Sequence, residues 1–305
     1  MKALAAFVMR GWSQATGVAV LCALLSPVLA PLSLVSAAVV ALVTLRNGLV
    51  PGLQVAGAAG LATVLVGQLV FGQFVAALAF ALLLWVPMLT LALVLRHTRS
   101  LPITLQAALL FGVAVVAFYL IAFDDPTAQW KTLLETALKG FFDAQEFDEE
   151  TRTALVEGMA RWMTGTLAAA YFLQLVASLL LGRWWQSLLY NPGGFRQEFH
   201  ALRLSRVLAV IALPLFGALF VDGLPAALSY LALPVAAAFF LQGLALAHGQ
   251  LAAFKAGPGW LIGIYALLVV APPYAFMALT TAGYADVWMD FRTRVAKRSG
   301  GQDRS

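Results

Sequence analysis

Residues 74–95 read Phe74-Val-Ala-Ala-Leu-Ala-Phe-Ala-Leu-Leu-Leu-Trp-Val-Pro-Met-Leu-Thr-Leu-Ala-Leu-Val-Leu95, without one charged side chain, and Arg96, His97 and Arg99 follow at once. A surface helix of an aqueous domain keeps a polar face, whereas here apolar side chains occupy every face. At about 1.5 Å per residue such a run spans the ~30 Å hydrocarbon layer of a bilayer. A helix is the form it must take there, because no water is present to satisfy the backbone.

Runs of the same character lie on both sides of it. Apolar segments fall at about 14–30, 32–45, 51–71, 74–95, 102–123, 161–182, 206–221, 225–247 and 258–285. Composition agrees, with 62% hydrophobic and 11% charged residues, where a soluble domain carries about 25% charged. The expected fold is all-α, a polytopic transmembrane helical bundle of about eight to nine membrane segments, with 1–305 as one integral membrane domain. Pro27-Val28-Leu29-Ala30 after Lys2 and Arg10 faintly resembles a secretory signal, but Leu32–Leu45 is apolar again and no polar domain follows. The first segment is therefore read as a retained span. Pro27 and Pro31 predict a tight, partly broken hairpin for the first two segments.

Charge distribution gives orientation. Lys2, Arg10, Arg46, Arg96, Arg99 and the loop Arg183–Arg206 fall on one side by alternation, and the intervening short loops lack basic residues. Under the positive-inside rule that side is the cytoplasm of a bacterial inner (plasma) membrane, with the N-terminus inside. The segment 124–160 falls outside. It holds nine of the fourteen acids: Asp124, Asp125, Glu135, Asp143, Glu146, Asp148, Glu149, Glu150 and Glu157. Nine crossings would place the charged tail 286–305, with Arg292, Arg294, Lys297 and Arg298, outside as well. A turn-back at Pro272-Pro273 would return it to the cytoplasm, which is the expected side. The net charge of +5 thus marks a membrane surface and not a nucleic-acid site.

Two amphipathic pieces stand out. In 127–142, Trp130, Leu133, Leu134, Ala137, Leu138 and Phe141 share one helical stripe, while Lys131, Glu135 and Lys139 lie four apart opposite it. It reads as an interfacial helix or as a lid over an outward pocket. Asp148, Glu149 and Glu150 then open a new helix, whose dipole they complement, that runs unbroken into 161–182. The loop 183–206 combines Trp184 and Trp185, the turn Asn191-Pro192-Gly193-Gly194, and Phe195, Phe199 and Leu202 at helical spacing with Arg196, Glu198, His200 and Arg203 on the other faces. It is either a membrane-hugging helix or a partner-docking surface.

Catalytic chemistry is not legible. His97, His200 and His248 sit in different segments, and Cys22 is alone in an apolar run. There is no metal-ligand spacing, no Gly-rich phosphate loop ending in Lys-Ser/Thr, and no nucleophile elbow. No enzyme activity, cofactor, catalytic residue or metal is expected. Within the segments Gln54, Gln68, Gln106, Gln174 and Gln242 read first as interhelical hydrogen-bonding groups. Gln68 and Gln73, toward the outer side, are the candidates for holding a neutral or zwitterionic solute, with Trp130 over them. Asp286 and Asp290, one turn apart, read as a helix exit with Asp290 pairing to Arg294, or less simply as a cation pair. Ala15, Ala19 and Ala23 form a smooth stripe suited to a close helix contact, within the chain or with another subunit.

Leu45-Arg46-Asn47-Gly48-Leu49, Asn191-Pro192-Gly193-Gly194-Phe195-Arg196 with Glu198-Phe199 and Leu202-Arg203-Leu204, and Asp286-x-Trp288-x-Asp290-Phe291-Arg292 together resemble the YybS-like bacterial membrane proteins, a family of unknown function. The first six segments also resemble, more remotely, the substrate-binding S components of energy-coupling-factor transporters. That likeness implies an S-component-like arrangement of those segments. It also implies a contact of the Ala15/Ala19/Ala23 stripe with a coupling subunit, and a separate ATPase. About three further segments depart from that pattern, and no ligand residue carries over. The functional expectation is a solute-binding or transport-related subunit. Its site lies at Gln68, Gln73 and Trp130. Its partner contacts lie at Ala15, Ala19, Ala23, Asn191, Gly193, Gly194, Phe195, Arg196, Phe199 and Arg203, toward an ATPase module or another copy. The alternative is a scaffold or assembly factor acting through its cytoplasmic loop.

Overall fold

The computed structural model describes residues 1–145, 147–221 and 223–291. Glu146, the Asp290–Arg294 pairing and the basic residues Arg292, Arg294, Lys297 and Arg298 lie outside the described residues. Within them there is no β-strand, and thirteen α-helices carry the chain.

Local chemistry explains most of the boundaries. After α1 (Lys2–Val8), α2 (Trp12–Leu25) stops ahead of Pro27. α3 (Pro31–Asn47) opens on a proline, where the missing N–H is no loss, and ends at Gly48 with φ +99°. α4 (Leu49–Phe71) and α5 (Phe74–Thr98) form a hairpin through Gly72, φ +65°, a conformation that side chains rarely adopt. α6 (Leu101–Ala122) is capped by Ser100, and α7 (Pro126–Ala144) by Asp125, whose Oδ1 accepts from the N–H of Thr127 and of Ala128. α8 (Glu149–Tyr190) starts where Asp148 accepts the Thr151 N–H at 2.7 Å and continues for 42 residues, as the acids there predict. α9 (Gly194–His200), α10 (Arg206–Gly217, prolonged by a 3-10 turn), α11 (Ala226–Ala253), α12 (Gly259–Val270) and α13 (Pro272–Met289) complete the described chain.

Five helices, α4, α5, α6, α8 and α11, are long and apolar enough to cross a membrane. The other expected segments are filled by shorter apolar helices. The 258–285 run is broken at Ala271, because Pro272 brings no N–H and its ring crowds the preceding turn.

The innermost helix is α3. Every residue from Ser36 to Leu45 is buried, packed by α2, α4, α5 and α8. Small side chains permit this. A Cβ on Gly182 of α8 would come within 2.9 Å of the Ala38 carbonyl oxygen, and one on Gly52 of α4 within 2.2 Å of Thr44 Oγ1. α11 and α13 meet more closely still, since a Cβ on Gly243 would lie 1.9 Å from the Leu279 carbonyl oxygen. Conversely, Val28, Leu69, Ile121, Phe220 and Val270 stand between 82% and 87% exposed. Each would cost on the order of 2 kcal/mol in water, so such an outer surface belongs in a lipid bilayer.

Candidate functional site

The groove at the acidic end of the bundle follows from a mismatch of lengths. α2 has 14 residues, while α4 has 23 and α5 has 25. Beyond Leu25 α4 therefore loses the helix packed beside it, and a groove of ≈ 390 Å³ opens between α2, α4 and α5. Ala23, Ser26 and Pro27 form one wall, Thr63, Gly67 and Phe71 a second, and Gln73, Ala77 and Phe80 the third. Gly67 sets its depth, because a Cβ there would stand 2.5 Å from that of Ala77. The lining is apolar but for a few groups. Ser26 Oγ is occupied, donating to the Ala23 carbonyl at 2.7 Å. Thr63 Oγ1 is buried, on a residue only 5% exposed, and has no hydrogen-bond partner. An unpaired buried hydroxyl in an apolar wall is a foothold for a ligand's polar group.

This groove does not bring together the three residues expected to share a pocket. Gln73 lines the groove as the residue before α5. Gln68 is exposed on α4 and is absent from the lining. Trp130 belongs to another contact: its Nε1 donates to Thr164 Oγ1 at 2.9 Å and its ring stacks on Tyr119 at 5.3 Å, fixing α7 against α8 and α6. Lys131 likewise reaches across to Glu157 at 2.5 Å, where the i,i+4 pattern predicts Glu135. On α7, Leu133 and Phe141 are exposed and Phe142 is buried, so the packed stripe is narrower than its sequence suggests. Thr63 and Ser26 carry no sequence signal, since a lone hydroxyl in an apolar run reads as packing.

Ala15, Ala19 and Ala23 are buried at 1%, 0% and 3% exposure, facing α3 and α4, and Ser36 Oγ donates to the Ala19 carbonyl at 2.8 Å. The stripe is occupied inside the chain. The loop 183–206 is folded rather than loose. Gly193 takes φ +87°, and Gly194 is buried because a Cβ there would meet Asn191 Nδ2 at 2.2 Å. Ser187 Oγ donates to the Asn191 carbonyl and accepts the Phe195 N–H. Phe195 stacks on Phe199, which leans edge-on to His248 of α11, while Arg196 stays exposed.

Arg203 turns inward, donating Nη2 to the carbonyls of Asp286 (3.2 Å) and Val287 (3.0 Å) and pairing with Asp290 at 3.2 Å. Gln242 is fully buried beside it, accepting the Leu204 N–H at 2.8 Å and donating to the Gly283 carbonyl at 2.9 Å. Asp286 does lie at the helix exit, in the last turn of α13, but it is not at the surface. It is 0% exposed within α13, with Oδ2 3.4 Å from Gln242 Nε2, because Gly283 lets α13 sink against α11. Among the described residues it is the one buried acid.

No protein-family model matches the chain, and neither a curated protein nor a solved structure matches it. The class rests on the fold itself, that of an all-helical membrane protein.

Proposed function

We propose that the protein is a solute-binding, transport-related membrane subunit without an ATPase of its own. It takes a small, mainly apolar molecule with one hydrogen-bonding group into the groove between α2, α4 and α5. The observation that carries this reading is the partnerless Thr63 hydroxyl in the groove wall. Leaving such a group unpaired costs about 1–3 kcal/mol, which a bound acceptor or donor would recover. Gln73, in the lining of the same groove, offers a second polar contact, and ≈ 390 Å³ falls in the ordinary range of small-molecule sites. The orientation that opens this groove outward in a bacterial inner membrane, and the likeness to YybS-like proteins and S components, are part of the same proposal. A coupling subunit would have to bind elsewhere than the alanine stripe.

Mass analysis of the small molecules retained by purified protein tests the reading. A retained molecule is expected on the native chain, and its loss from Ala76→Trp, since Ala76 also lines the groove and an indole there would fill it. Equal retention by both proteins, or none by either across preparations, would sink it.

A scaffold role is favoured by a different observation, the rigid packing of the 183–206 loop with Arg196 and Gln197 exposed. Under that role deleting 194–200 abolishes the cellular phenotype and Ala76→Trp leaves it intact.

A further inference from the structure

At the other end of α5 the C-termini of α3, α5 and α8 converge on a cleft of ≈ 530 Å³, to which α9, packed on α8 and α11, adds Glu198. Its lining includes four arginines, Arg46, Arg96, Arg99 and Arg183, against one carboxylate, Glu198, with the amides of Gln186 and Asn191 between them. The plain explanation is capping, since the orphan carbonyls of a helix C-terminus attract cations. Two of the four arginines fit it or a similar structural role. Arg96 Nη1 donates to the carbonyls of Leu45 (2.7 Å) and Arg46 (2.9 Å) at the end of α3. Arg183 is held by Glu198, with Nε to Oε2 at 2.9 Å and a second, shorter contact from Nη2 to Oε1, and donates Nη1 to Gln186 at 3.1 Å.

Arg46 and Arg99 also sit at helix ends, in the last turn of α3 and as the C-cap of α5, but among the described residues neither guanidinium is taken up by a hydrogen bond to an end carbonyl. The Arg46 guanidinium lies 4.1 Å from the centre of the Tyr190 ring, which orients it without neutralising it. Arg99 ends α5 in a left-handed conformation, φ +52°, and its side chain is exposed. Neither makes an ion pair among the described residues. Charge counting points the same way. Even with about half a negative charge for each of the three helix ends, four guanidiniums against one carboxylate leave the cleft positive.

We propose that this cleft is a binding site for a phosphate group. Arg46 and Arg99 are its ligands, Arg96 and Arg183 are fixed walls, and Asn191 is the neutral donor. The planar guanidinium fork matches phosphate oxygens two at a time, and two such forks lining one cleft favour phosphate over a diffuse cloud of anions. The phosphate belongs either to a lipid headgroup at the membrane edge or to a soluble phosphate ester, and the recognition chemistry is the same for both.

The test uses the full chain in nanodiscs of zwitterionic phosphatidylcholine. In one arm inorganic pyrophosphate is titrated, with sulfate at matched ionic strength beside it. In the other arm, phosphatidic acid is added to the nanodiscs and retained lipid is counted by native mass spectrometry. Saturable binding is expected in at least one arm, and which arm responds identifies the source. The double substitution Arg46→Gln and Arg99→Gln should weaken it at least about tenfold, while Arg46→Lys with Arg99→Lys, which keeps the charge but not the fork, should weaken it less. Arg10→Gln, exposed and outside the cleft, should change nothing. Unchanged helicity and melting of the double glutamine variant show that it folds. The proposal is overturned by absence of saturable binding in both arms, by full retention in the folded double variant, or by an equal loss in Arg10→Gln.

Discussion

Gln242 shows what one buried amide does in this bundle. It satisfies the Leu204 N–H on the segment entering α10 and the Gly283 carbonyl on α13 at once, joining three parts of the chain from a position with no exposure. Gln242→Leu keeps the bulk and strands both backbone groups, so a loss of about 1–3 kcal/mol is expected, read as a lower midpoint of thermal unfolding in detergent. Asp148 gives a pH-dependent counterpart. Its hydrogen bonds with Thr151 hold its carboxyl below the ordinary value of 3.8. A lowered folded-state value means that the contribution is complete above that ordinary value and fades as pH falls through the lowered one. Asp148→Asn keeps the cap but should flatten this acid limb in a melting series taken from neutral to strongly acid pH. At this scale the sequence was half legible. Gln106, Gln174 and Gln242 do bridge helices, as amides in apolar runs predict. The burial of Asp286 was hidden, since it depends on Gly243 and Gly283 meeting across forty residues of chain.

Among the elements, the α11–α13 contact is the most exacting. A Cβ on Gly283 would stand 2.1 Å from the Phe239 carbonyl oxygen, a backbone atom that cannot swing aside. Gly283→Ala should therefore force the helices apart and cost about 1–3 kcal/mol or more. Gly263→Ala on α12, where nothing lies within 4 Å, should be neutral or slightly stabilising in the same melting assay, because alanine is the better helix former. Helix ends were readable wherever a cap or a proline marked them: Asp148 starts α8, and the Pro272-Pro273 pair starts α13. The groove was not readable. It arises because α2 ends near Ser26 while α4 and α5 continue, a comparison between elements that no single window contains.

For the molecule as a whole, apolar runs fixed the class while the path of each run remained three-dimensional. α5 and α8 are both long enough to cross, so the chain before and after each should face opposite compartments. Cys22 is the single native cysteine, so a Cys22→Ala background gives clean reporters. Cysteines at Gln73 and Gln145 should react with an impermeant thiol reagent from one side of oriented vesicles, and cysteines at Ser100 and Pro192 from the other. Reaction of all four from the same side would refute the crossing. The positive ends of α3, α5 and α8 would then need another explanation.

The sealed position of α3 bears on how the protein is made. Ser33, in its first turn, receives the hydrogen bond of Gln174, 141 residues further along the chain, and Ala38 and Ala41 wait for Gly182. When α3 leaves the ribosome, the helix that will enclose it has not been synthesised. It must rest against lipid or the insertion machinery until α8 arrives, and a ribosome stalled before residue 182 leaves the face of Ala38 and Ala41 without its final neighbour.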